Sequence, residues 1–210
     1  MIKTDTTNAK TFFESSHKKV VINESRKELL SKIANKITDS YISGNGHLNI
    51  NFICTHNSRR SQLGQAWAFF ASKYFDLNIT AFSGGTEVTA FYKNTVNTLR
   101  SVGFSFSIQE FSHQNPIYQI SFEDTNDFIL GFSKTFDHQI NTSPYIAITT
   151  CDSADENCPF IPEAIHRFHL PYTDPKYADD TLEQDEAYLK TNREIASEIY
   201  YIFNQVKSSL

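Results

Sequence analysis

Only three cysteines, Cys54, Cys151 and Cys158, occur among the 210 residues. So small and odd a number excludes a structural disulfide framework, and in a reducing compartment such thiols are either reactive or simply buried. No apolar run approaches the roughly 20 residues needed to cross a bilayer. The opening stretch MIKTDTTNAKTFFESSHKK also lacks the apolar core of a secretory signal. A cytoplasmic protein with no membrane role is therefore expected. A basic surplus is missing as well: the formal charge is -5, which argues against nucleic acid and for a small-molecule or protein partner. Internal repeats and low-complexity segments are absent. Zinc is a poor explanation for the cysteines, since no four ligands stand at zinc spacing and His166 and His169 fall on opposite sides of an expected strand, so no metal is expected.

What remains is enough chain for one domain with its own core, and its 18 Phe and 10 Tyr read chiefly as core filling. SRKELLSKIANKITDSYISGNG places Leu29, Leu30, Ile33, Ile37 and Tyr41 on one stripe, with Ser25 and Glu28 at capping-box spacing and a stop at Ser43-Gly44. HLNINFIC then alternates before turning fully apolar, as a buried parallel strand does, and SQLGQAWAFFASKYF follows with helical spacing. LNITAFSGG and AFYKNTVNTLRSVG form a second strand and helix, PYIAITTC and AIHRFHLP two more strands, and TLEQDEAYLKTNREIASEIYYIFNQV a closing helix. Strands alternating with helices predict an α/β protein with a parallel sheet and helices on both sides. Residues 1–22 show no clean period. Within residues 104–141, IYQISFED and DFILGFSK read as an inserted hairpin.

Cys54 falls where the first core strand ends and a helix begins, and ligands of open parallel sheets bind at that edge. In NFICTHNSRRSQLGQAW, loop amides and the start of the following helix favour a tetrahedral oxyanion, and Arg60 can grip two of its oxygens. The same positive field favours the Cys54 thiolate and makes it nucleophilic. The competing reading is a buried thiol beside a solvated Arg59-Arg60 pair.

Cys-x5-Arg-Ser after the first strand, with Asn57 and Ser58 inside the loop and Gln62 and Trp67 on the next helix, resembles the low-molecular-weight protein tyrosine phosphatases. Within that fold it most resembles the thioredoxin-coupled arsenate reductases, over residues 48–206. The resemblance implies a three-layer sandwich around a central parallel four-stranded sheet in residues 46–210, and it leaves out the N-terminal helix, so residues 1–45 read as a helical extension. It also implies that Cys54 is the nucleophile, that the loop of Thr55, His56, Asn57, Ser58, Arg59, Arg60 and Ser61 binds the oxyanion, and that the Ser61 hydroxyl supports the thiolate. His56 and Arg59 stand where related loops carry glycine and cysteine. His56 adds bulk and a titrating group beside the anion. Arg59 either adds charge or points to solvent, and solvent is the favoured reading. Asn57 is the loop residue best able to take a left-handed conformation.

TTCDSADENCPFIP spaces Cys151 and Cys158 by seven positions. Alone, the pair is equally well two ordinary thiols. In the arsenate reductases a second and third cysteine at this spacing form a redox relay, and the resemblance implies that Cys151 attacks Cys54 and Cys158 then attacks Cys151. The resulting disulfide is reduced by thioredoxin, and the acidic segment between the two cysteines moves. Asp174, before Pro175, is an ordinary turn opener, or by resemblance the general acid. Tyr172 and Tyr177 flank it as candidates for lining an aryl-phosphate slot. A potassium site of the type some relatives carry matches Asn57 and Ser83 but meets Gln65 where an acid is needed, so none is expected. The reading is an arsenate reductase with no tightly bound cofactor, acting on arsenate, phosphate or another small oxyanion with thioredoxin as electron donor. The alternatives are a phosphatase for phosphotyrosine or small esters, and an oxyanion-sensing binding protein.

Overall fold

The first core strand sets the two faces of the protein, because its side chains alternate between apolar and amide. In the computed structural model, which describes residues 8–157 and 160–210, β1 (Leu48–Cys54) is buried along its whole length. Leu48, Ile50 and Phe52 enter a large apolar core. Asn49 and Asn51 point the other way, where Asn49 Nδ2 donates to the carbonyls of Thr142 and Pro144 and Asn51 Nδ2 donates to that of Phe136. Amides buried against a loop must be satisfied, and these hydrogen bonds hold residues 136–144 against the sheet.

Beside β1 run β2 (Ile79–Gly85) and β6 (Tyr145–Thr149), with β7 (Ala164–His169) beyond β6, in the order β2-β1-β6-β7 and all parallel. This is the expected four-stranded parallel sheet. The large core joins it to α1 (Ala9–Lys19), α2 (Glu24–Ser43), α3 (Arg60–Tyr74), α4 (Lys93–Ser101) and α6 (Gln184–Ser208). A smaller cluster on the opposite face contains Ile53, Cys54, Tyr145, Ala147, Cys151 and Ile161, together with Ala154 of α5 (Asp152–Asn157). Trp67 lies at the centre of the large core, stacked on Phe12 and Phe13 of α1, and its Nε1 donates to Asn192 Oδ1 at 2.6 Å.

The structure differs from the sequence reading in four places. Helix α1 lies in the stretch with no clean period, because only Ala9, Phe12, Phe13 and Ser16 of it are buried. Helix α2 is capped by Asn23, whose side chain accepts from Arg26 N at 2.9 Å, ahead of the expected Ser25-Glu28 box. The insertion is a three-stranded antiparallel sheet: β3 (Phe104–Glu110) pairs with the expected β4 (Ile117–Phe122), which pairs with the expected β5 (Ile129–Gly131). The acidic segment after Cys151 is helical, as α5.

Candidate functional site

Three strand ends converge on one edge of the sheet. Cys54 closes β1 and Cys151 lies just beyond β6, while Asp174 lies beyond β7 as N-cap of a 3-10 turn, Pro175–Ala178. In the β1–β6 register Ile53 pairs with Thr149, and Thr150 N donates to Ile53 O at 2.7 Å. The two cysteines therefore leave neighbouring strands at nearly the same level. Both are buried and share the smaller apolar cluster, and Thr55 Oγ1 lies 3.5 Å from Cys151 Sγ. Cys158, the third cysteine of the expected relay, lies outside the described residues.

Residues 54–59 form a loop gripped from outside by its carbonyls. Cys54 O and Thr55 O accept from Thr86 N and Glu87 N, and His56 O from the Ser133 and Thr89 hydroxyls. Asn57 O accepts from Gln62 Nε2, Ser58 O from Tyr92 N and Arg59 O from Leu63 N. With six successive carbonyls held outward, the amides of Thr55 to Arg59 meet no protein acceptor among the described residues. A ring of inward amides at the start of α3 is a cradle for an anion. The end of β2 closes it from the side: a Cβ on Gly85 would come within 2.6 Å of Thr55 O and 2.8 Å of Asn57 N.

Asn57 takes the expected left-handed conformation, with φ 46°, and its side chain organises the interior. Oδ1 accepts from Lys134 N at 3.0 Å and Gln62 Nε2 at 3.1 Å, while Nδ2 donates to Ser61 Oγ at 2.8 Å. Because that amide nitrogen can only donate, the Ser61 proton is left for Cys54 Sγ, 3.1 Å away.

Arg60 is nearly buried, with NH1 on Tyr172 O at 3.1 Å and NH2 on Asp174 Oδ2 at 2.7 Å. Its buried Nε has no partner among the described residues. Asp174 Oδ1 accepts from Lys176 N at 3.0 Å, the Asx cap of the turn. Arg59 overturns the solvent reading. Its side chain is 11% exposed, with NH2 2.8 Å from Asp179 Oδ2, Nε 2.7 Å from Tyr188 Oη and the guanidinium 4.1 Å above the Tyr92 ring. Three carbon-rich or anionic partners outcompete water for a planar cation. His56 is turned outward, 3.4 Å from Glu87 Oε2. Tyr172 is buried, with the Arg26 guanidinium 5.1 Å from the centroid of the tyrosine ring, whereas Tyr177 is exposed.

Sequence reasoning missed residues 132–136, which wall the loop from behind. Phe132 O accepts from Gln62 Nε2 at 2.8 Å, and Gly85 N donates to Lys134 O. Lys134 is 2% exposed and forms no ion pair among the described residues. Its Nζ lies 3.4 Å from Ser83 Oγ, which donates to Gln65 Oε1, and 4.8 Å from the Phe132 ring centroid. Burial pulls its pKa down to about 7. Lys134 thus reaches both residues that match the potassium pattern, Asn57 through its amide and Ser83 through its ammonium. Only residues 104–141 being read as an insertion hinted at any special role there.

Fold and site together define an α/β protein that gathers a thiol, a run of loop amides without protein acceptors among the described residues and an arginine at one edge of a parallel sheet. An arsenate reductase of Brevibacillus brevis is 31% identical over 126 residues, 60% of this chain and 75% of the relative. That of Bacillus licheniformis is 29% identical over 145 residues, 69% of this chain and 86% of the relative. The chain belongs to the arsenate reductase family. No family model matches it. Among solved structures, a thioredoxin-dependent arsenate reductase of Corynebacterium glutamicum aligns with 97% of this chain and 86% of its own, at 18% identity and a TM-score of 0.47. No helix among the described residues is long and apolar enough to cross a membrane.

Proposed function

We propose that the protein reduces arsenate to arsenite through a relay of Cys54, Cys151 and Cys158. The Cys54 thiolate attacks arsenate seated on the loop amides and Arg60, and an oxygen leaves as water, protonated by Asp174. The Cys151 thiolate then attacks Cys54 Sγ, the sulfur–arsenic bond pair passes to arsenic, and arsenite leaves with a Cys54–Cys151 disulfide behind it. Cys158 attacks Cys151 and frees Cys54. Thioredoxin supplies the two electrons that reopen the final disulfide, and the relay's need for reduced thiols favours the cytoplasm as its compartment.

The observation that carries this reading is the arrival of Cys54 and Cys151 from adjacent strands into one buried cluster at one sheet edge. Hydrolysis of a phosphate ester needs no second thiol there. The contact between Asp174 and Arg60 favours a second activity, cleavage of aryl phosphates through a phosphocysteine, with Asp174 protonating the leaving oxygen. Arsenate reduction with thioredoxin and aryl phosphate hydrolysis should be measured on the wild type and on Cys54→Ser, Cys151→Ser and Cys158→Ser. Loss of sustained arsenate turnover in all three, with ester cleavage lost only in Cys54→Ser, is the expected pattern. Undiminished arsenate turnover in Cys151→Ser would reject the relay.

A further inference from the structure

The acid and the oxyanion compete for one guanidinium. Arg60 gives one N–H of NH1 to the Tyr172 carbonyl and one of NH2 to Asp174, and its Nε–H has no partner among the described residues. A tetrahedral oxyanion seated over Cys54 takes two parallel bonds from that same fork. Binding therefore draws the guanidinium charge toward a second anion and weakens, without having to break, the contact that holds Asp174, at the moment when the acid is needed.

A second tether remains. From the N-cap position of α3, Arg59 reaches Asp179 at the end of the 3-10 turn that Asp174 begins. It also reaches Tyr188 of α6, whose hydroxyl donates to the other Asp179 oxygen at 2.7 Å and so closes a three-membered ring of hydrogen bonds. The guanidinium lies over Tyr92, the N-cap of α4, whose ring stacks on Tyr188 at 6.2 Å. Burial pushes the Tyr188 phenol up and keeps it a proton donor at neutral pH. Arg59 Nε stands 4.0 Å from Asp174 Oδ1, so the charge of the second guanidinium also faces the acid.

We propose that Arg59, Asp179 and Tyr188 form a clamp that keeps the Asp174 segment in place beside the cysteine loop while the oxyanion shares Arg60. Arg59 is a positioning residue in this scheme: it acts on the reaction through Asp174 and touches no reacting atom. The clamp rests on Asp174 serving as the acid. It also gives the second loop arginine a task that lysine cannot perform, since two partners and a ring face require the planar fork.

The test is a set of double-mutant cycles. Arg59→Lys, Arg59→Met, Asp179→Asn and Tyr188→Phe are each made in the wild type and in Asp174→Asn, and kcat and KM are measured for arsenate and for an aryl phosphate. In the wild-type background, Asp179→Asn should lower kcat about tenfold, part of the roughly 100-fold that a positioned acid supplies, with KM changed less than about twofold. In Asp174→Asn the same substitution should cost less than about twofold, because the group it positions is already gone. Arg59→Lys should fall between wild type and Arg59→Met. Should Arg59→Met fail to fold, Asp179→Asn and Tyr188→Phe carry the cycle. Costs that add across the two backgrounds, or a rise in KM at constant kcat, overturn the clamp alone. A wild type that turns over neither substrate removes the catalytic reading and the clamp together.

Discussion

Strands β1 and β6 lie side by side and each hands a cysteine to the same sheet edge, yet the chain is built differently beyond the two thiols. After Cys54 it is held through its backbone: six loop carbonyls are bonded and a 15-residue helix, buried on nearly all sides, begins at once. After Cys151 comes a six-residue helix held mainly by charged side chains. Asp155 Oδ1 accepts from Thr149 Oγ1 at 2.7 Å and pairs with Arg167 at 2.6 Å, and Asp152 meets His169 Nε2 at 3.0 Å. Backbone bonds buried in a cradle resist opening, whereas part-exposed ion pairs contribute little each and are screened by salt. One half of the site is therefore the more firmly held, and the other half costs less to open.

The strongest way to break that contrast lies beside the firmly held half, at the acid that Arg60 contacts. Asp174→Asn keeps the neutral hydrogen-bonding shape but removes the proton, and should slow aryl phosphate cleavage by about 100-fold. Steady-state kinetics check this, and a loss under about threefold would leave the turn-opener reading of Asp174 standing. The stability of the same half should carry the signature of Lys134. Its folded pKa, about 7, lies below the ordinary lysine value of 10.5, so between these pH values the unfolded chain binds a proton that the folded chain does not. Stability from this residue is lowest below pH 7 and rises toward pH 10. Denaturant unfolding should show wild type gaining about 2 kcal/mol more than Lys134→Met between pH 7 and pH 9. Parallel pH profiles for the two proteins would contradict a buried, uncompensated ammonium.

The smallest effect sharpens the weakly held half. Asp155→Asn removes the anion shared by Arg167 and His169, and should speed hydrogen exchange of the α5 amides about tenfold while leaving α3 unchanged. In wild type, oxidising the Cys151–Cys158 pair should have a similar effect on α5. Equal protection of α5 in reduced and oxidised protein would show that this half does not let go.

How much of this was legible depended on how local its cause is. β1, the loop and α3 could be read because a period of two, a run of apolar residues and a helical period succeed one another within a short stretch of sequence. The left-handed Asn57 was legible for the same reason, since conformational tolerance belongs to the residue itself. Helix α1 was not, because serine fills one of its four buried positions and leaves two aromatics to mark the stripe. The direction of Arg59 was not either: its partners Asp179 and Tyr188 lie 120 and 129 positions away, and nothing near Arg59 reports them. Lys134 read as an ordinary residue of an insertion, since burial of a lysine is a property of its neighbours.

The wall formed by residues 132–136 bears on how far the site can be treated as a portable module. Cys54 to Arg60 is a short contiguous stretch, and transplanting it to the strand end of another α/β scaffold looks simple. Yet the amide of Lys134 holds Asn57, the Ser133 hydroxyl holds the His56 carbonyl, and the Phe132 carbonyl holds Gln62, all from a segment 70 to 77 residues downstream. A graft or a trimmed version that discards the insertion would carry the right letters without the brace that shapes them. The smallest transferable unit is two separated pieces of chain, and shortening this protein has to begin elsewhere.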